Sequence, residues 1–213
     1  MSVLKAKAMR QPNRFAGEVE ELIHASITVK YRMLKNAEAV QNIARISDVL
    51  LNAVENGNKL VLFGNGGSAG DAQHIAAEFV GRFAFDRPAL PALALSVNSS
   101  AVTAIGNDYG FDLVFSRQIE ALGRPGDVAI GISTSGNSPN IIRGCSVARK
   151  IGMHTAGFTG CTGGKLKEAV DYCVCVPSNE TPRIQECHIL VGHIIAGLVE
   201  SAIFHEQSCV SRS

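Results

Sequence analysis

Apolar residues recur along this chain in two rhythms, and each change of rhythm marks an element. Over residues 15–36, Val19, Leu22, Ile23, Ile27 and Tyr31 fall at helical spacing; over 37–56, Val40, Ile43, Ile46, Val49, Leu50 and Val54 repeat it. This predicts two leading helices, the second stopping at Gly57. Residues 59–63 (KLVLF) then form a short apolar run without turn residues, as suits a strand buried on both faces. Gly64-Asn65-Gly66-Gly67 breaks it, and a helix follows with Ser68 placed to cap it and Asp71 to complete a capping box. A second strand is expected over 92–96, a short helix ending near Gly106, a turn at Asn107-Asp108-Tyr109-Gly110 and a helix over 115–122. Strand 127–132 runs into Ser133-Thr134-Ser135-Gly136-Asn137-Ser138-Pro139, with Ser138 as N-cap and Pro139 as first residue of a helix to about 151. Strands over 153–159 and 171–176 follow. A last helix over about 182–205 spreads its apolar residues too widely for a one-faced surface helix, so burial is expected, in part between subunits.

The pattern predicts an α/β fold: a five-stranded parallel sheet flanked by helices, doubly wound, behind an N-terminal helical pair. Residues 15–206 make one domain, with a flexible leader over 1–14 and a tail over 207–213. The leading helices carry more apolar surface than one sheet face needs, which points to packing against other copies of the chain.

Composition narrows the partners. A formal net charge of +1 in 213 residues gives no field for nucleic acid or an anionic membrane, so a small substrate is expected. No apolar run approaches the length of a membrane span and residues 1–14 have no hydrophobic signal core, so a cytoplasmic location is expected. The six cysteines form no CxxC and are read as buried reduced thiols, Cys173 and Cys175 sharing one strand face.

In an open parallel sheet the loops after the first and third strands lie at the same carboxyl edge, which makes that edge the expected site. The first loop fits neither familiar nucleotide motif: no acidic residue ends the second strand, and Gly70 is followed by Asp71, not Lys. Ser68, Ser133, Thr134, Ser135 and Ser138, set at helix N-termini without Lys or Arg, suit a phosphate ester that must later leave. His74 and Glu78 are four apart on one helical face; Gln185 and His193 are eight apart on the last helix and can face one groove. The four would suit zinc, or an acid–base pair without metal.

Taken together and in this order, GNGGSAGDAQHIAAEFVGRF, AIGNDYGF, GDVAIGISTSGNSPN and RIQECHILVGH resemble the sugar isomerase (SIS) domain family, and within it the enzymes that isomerise a seven-carbon sugar phosphate. The resemblance covers roughly residues 37–206. It implies substrate contacts from Asn65, Gly66, Gly67, Ser68, Glu78, Asn107, Asp108, Ser133, Thr134, Ser135, Ser138 and Gln185, and one zinc at His74, Glu78, Gln185 and His193. It also implies a homotetramer that converts sedoheptulose 7-phosphate to D-glycero-D-manno-heptose 7-phosphate through an enediol, with Glu78 and His193 as catalytic groups. A non-catalytic family member that binds the replication initiator lacks that Glu and that final His, and sugar-phosphate sensors usually add a DNA-binding domain that nothing here supports. Gly70 and a longer leader are the departures from the enzyme pattern, and neither removes a site residue.

Overall fold

The computed structural model of the protein describes residues 13–210. The expected leader up to residue 12, and residues 211–213 of the expected tail, lie outside them. Two helices come first, α1 (Ala16–Lys35) and α2 (Ala37–Glu55). Asn36 both ends the first and starts the second: its extended backbone interrupts the helix, and its side-chain oxygen accepts from the Ala39 N–H at 3.2 Å.

Five strands follow, β1 (Leu60–Gly64), β2 (Ala92–Ala94), β3 (Val128–Ile132), β4 (His154–Thr159) and β5 (Tyr172–Cys175), all parallel in the order β2-β1-β3-β4-β5. The expected sheet is present, with β1 displaced by one residue and the other four strands shorter by one or two. β2 stops at Ala94, although the Leu95 N–H still donates to the Leu62 carbonyl at 2.9 Å. Helices α3 (Gly67–Val80), α4 (Ser99–Tyr109), α5 (Ser116–Leu122), α6 (Pro139–Ile151), α7 (Leu166–Ala169) and α8 (Thr181–Val210) complete the chain. The unbroken apolar run of β1 is explained by a core on each face. Leu60 and Leu62 pack with α2, α3 and α8 residues such as Leu50, Ile75 and Val191; Val61 and Phe63 pack with Ile119 of α5 and Ile141 and Cys145 of α6.

Three expectations about the helices need correction. Ser68 does not cap α3: Gly66, at φ 55°, is the N-cap, and Ser68 is already helical and buried, so no capping box with Asp71 forms. Glycine lets the chain turn two residues earlier than the serine would. The turn expected at residues 107–110 is also absent, because α4 continues through Asn107 and Asp108 to Tyr109 and ends at Gly110, whose φ is 90°. Gly106 has no such requirement and stays within the helix. Finally, Thr181–Phe204 of α8 is long and apolar enough to cross a membrane, yet it is a core helix whose Ile184, Cys187, Val191, Ile195 and Val199 are buried in the sheet-facing cluster.

Among the described residues the free thiols of Cys145, Cys173 and Cys187 are buried as expected, and the Cys173 and Cys175 sulfurs lie 3.7 Å apart on one face of β5. Cys161 is exposed, contrary to expectation, because it follows the end of β4 in a loop. The Cys209 side chain lies outside the described part.

Candidate active site

The strand order reverses between β1 and β3, and a crevice opens at such a switch point beyond the strand ends. The two predicted loops flank it. Asn65 after β1 and Asn140 of α6 exchange two amide hydrogen bonds across the gap, 2.9 and 3.0 Å long, and Asn140 is buried. Asn140 was not expected in the site; its only sequence signal is its place beside Pro139, one residue inside a helix N-terminus. The Ser133 hydroxyl is buried 3.0 Å from that of Ser138, which occupies the N-cap position of α6 without capping it. Ser135 Oγ accepts from the Asn137 N–H at 3.1 Å, and the Thr134 carbonyl accepts from the Gly160 N–H at 2.9 Å. Beside this loop lies a cleft of about 280 Å³ whose lining includes Thr134, Ser135, Gly160, Cys161, Asn179 and Thr181.

The second half of the site is the seam between α3 and α8. The two helices run in the same direction and meet closely at three glycines. A methyl group on Gly67 would collide with the Gln185 amide, one on Gly192 with Ile75, and a Cβ on Gly197 would come within 3.1 Å of the Phe83 ring. This close approach brings His193 to His74. Their Nε2 atoms lie 3.2 Å apart, and His74 Nε2 is 3.0 Å from Glu78 Oε1, the pair four residues apart as the sequence spacing requires. Donor atoms of all three lie within 4.8 Å of one another, a set that could hold a metal ion. The Phe83 ring packs on His193 with centroids 5.6 Å apart.

The remaining predicted residues divide. Gln185 is drawn to α3, but its amide rests against Gly67, and eight residues separate it from His193, about 12 Å along the helix. Asn107 and Asp108 are exposed at the end of α4, where the Asn107 amide donates to Asp108 Oδ1 at 2.7 Å; among the described residues neither bonds to either loop. α4 has no buried residue at all. Asp71, one turn before His74, has one buried carboxylate oxygen without a partner, and burial raises its carboxyl above the usual range, opposed by the charge of His74.

His188 shows the contrast between a core histidine and these. It is fully buried, and since a carbonyl can only accept, its Nε2–H donates to Thr159 O at 3.2 Å. Burial lowers its pKa to about 4, with the Thr159 bond opposing.

Comparison with known proteins agrees with the fold. The model of the SIS domain family matches residues 25–160. The phosphoheptose isomerase of Aneurinibacillus thermoaerophilus is 53% identical over 189 residues, 89% of this chain and 96% of that protein. That of Clostridium acetobutylicum is 50% identical with the same coverage. The structure of a phosphoheptose isomerase from Neisseria gonorrhoeae superposes with a TM-score of 0.82 at 43% identity, covering 88% of this chain and 99% of that one.

Proposed function

The chain belongs to the SIS domain family, among the phosphoheptose isomerases, and we propose that it converts sedoheptulose 7-phosphate to D-glycero-D-manno-heptose 7-phosphate through an enediol. The observation that carries this reading is the meeting of His74, Glu78 and His193 along a helix that begins at the Gly66-Gly67 loop. His74 stands seven residues beyond Gly67, about 10 Å along the axis. A phosphate held by the loops and a carbonyl at the far end of a seven-carbon chain have a comparable separation, so one substrate could address both.

In this reading Ser133, Thr134, Ser135, Ser138 and Ser68, with Asn65 and the Gly66 and Gly67 backbone, bind the phosphate at the N-termini of α3 and α6. Asn107 and Asp108, and Gln185 beside Gly67, contribute further substrate contacts. Glu78 removes the proton alpha to the carbonyl and returns it to the adjacent carbon, while His193 moves protons at the oxygens. Zinc fits the donor set: two imidazole nitrogens 3.2 Å apart and a carboxylate oxygen 3.0 Å from one of them suit ligands at about 2.0–2.1 Å from a common ion. His74, Glu78 and His193 would hold it, with Gln185 the implied fourth ligand. When bound, zinc would supply a positive charge against the two substrate oxygens. Glu78 has two oxygens, so binding through one leaves the other as base, whereas His193 moves protons only while its Nε2 is free of the ion.

The rest of the reading follows from exposed apolar surface. Leu22, Ile23, Ile27 and Tyr31 of α1 are each more than half exposed, and α4 has no buried residue; a homotetramer that covers these faces accounts for both. The enzyme is assigned to the cytoplasm, with no nucleic acid or membrane partner. Incubating the purified protein with sedoheptulose 7-phosphate, with and without added zinc, tests the assignment. The aldose phosphate should appear, and its absence in both arms would refute it.

A further inference from the structure

We infer that the buried pair Arg87 and Glu200 is a positioning device that holds Glu78 and His193 at their working separation without touching the substrate. It rests on the roles given above to those two residues. Glu200 lies seven residues after His193 on α8, two turns on and so on the same side, facing α3. The Arg87 and Glu200 side chains are 2% and 1% exposed. Glu200 Oε1 accepts from Arg87 Nε–H at 2.9 Å and from the Phe83 N–H at 2.8 Å, and Oε2 from the Ala84 N–H at 2.7 Å. The remaining guanidinium nitrogens of Arg87 donate to carbonyls: Nη2 to Glu78 at 2.7 Å, and Nη1 to Phe79, Gly81 and Pro88 at 2.8, 3.2 and 3.0 Å.

Glu78 and Phe79 lie in the last turn of α3, where carbonyls lack helical partners. Arg87 therefore fixes the backbone of Glu78 itself. Glu200 fixes residues 83 and 84, and the Phe83 ring packs on the His193 imidazole. One ion pair thus ties the end of α3 and the loop beyond it to the stretch of α8 that carries His193. Burial alone would make such a pair a weak source of stability, and it is the bonds from Phe83, Ala84 and Arg87 that hold the Glu200 carboxyl below its ordinary range. What it does supply is geometry, and the fork of arginine is needed for it: a lysine ammonium could keep the charge but could not reach the carboxylate and this set of carbonyls at once.

The test compares Arg87→Lys and Glu200→Gln, each alone and combined with Glu78→Gln, by thermal melting and by kcat and KM on sedoheptulose 7-phosphate. Misplacement of a reacting group by about 1 Å can lose on the order of 10²-fold, so Arg87→Lys should lose kcat on that scale in protein that is still folded. KM should hold, since the phosphate loops lie at the other end of α3, and deuterium wash-in from solvent should fall with kcat. On the Glu78→Gln background the same change should add almost nothing, because the pair acts through Glu78. A lowered melting temperature with unchanged kcat would make the pair merely structural, and a full further loss on the Glu78→Gln background would place its action elsewhere; either overturns the inference. If Arg87→Lys does not fold, Glu200→Gln carries the same expectations, and failure of both to fold would show a pair required for the fold and overturn it too. A wild-type protein inactive on this substrate would refute the proposed reaction, a separate result.

Discussion

Acid should destabilise this protein well before its carboxylates titrate, and His188 should be the cause. Its side chain is fully buried between the Phe158 ring and the end of β4, and burial lowers its pKa from 6.5 to about 4. The folded state therefore refuses a proton that the unfolded chain accepts. Stability is fully present above pH 6.5, falls as pH drops below it, and levels off near pH 4, where the folded histidine also protonates. At about 1.4 kcal/mol per pH unit, the loss reaches about 2 kcal/mol at pH 5 and about 3 kcal/mol at pH 4. Urea unfolding of wild type and His188→Gln at matched ionic strength, from pH 8 to 5, measures it. Glutamine can still donate to the Thr159 carbonyl but takes up no proton, so the variant should be less stable at pH 8 through altered packing and nearly flat between pH 6.5 and 5. Equal losses in both proteins over that range would show that His188 does not carry the effect.

Three further outcomes are expected. Glu78→Gln should lose about 10²–10⁴-fold in turnover while still binding the sugar phosphate, and should not exchange the alpha hydrogen with solvent; exchange at the wild-type rate would assign the base elsewhere. Ser133→Ala with Ser135→Ala should raise KM, each lost hydrogen bond to a charged group being worth about 1.5–3 kcal/mol, and an unchanged KM would remove these hydroxyls from the phosphate site. Sedimentation should give a tetramer at micromolar protein, broken by Leu22→Glu with Ile27→Glu on the exposed face of α1, whereas a monomeric wild type would contradict the proposed assembly.

The helix and strand sequence was legible because the sheet is buried on both faces and the helices are regular, so composition and spacing report directly on burial. The pairing of His74 with Glu78 was legible for a similar reason: it lies within one helix and needs only the 3.6-residue turn. The arrival of His193 was not derivable from spacing, since it depends on how closely α3 approaches α8. The two glutamate and arginine side chains that hold the end of α3 were invisible for the same cause, each being an ordinary charged residue until the fold buries it. The cap of α3 was misplaced because serine is a good N-cap and glycine a weaker one; here Gly66 adopts a positive φ that serine would resist. Asn140 is not legible in the sequence because its partner lies 75 positions away.

The glycines along the α3–α8 seam reverse the usual expectation about which positions tolerate change. Gly67, Gly192 and Gly197 bear no functional group, yet a larger residue at any of them would have to displace Gln185, Ile75 or the Phe83 ring on the facing side of the seam. A drifting lineage could exchange Glu78 for glutamine and retain the architecture, leaving an inert protein of familiar shape. Gly192→Ala would do the opposite, preserving every reactive side chain while moving His193 away from His74. For anyone redesigning this enzyme, the spacing of the two helices is thus a more rigid inheritance than the chemistry they carry, and a change of substrate would be sought in the loops before the seam.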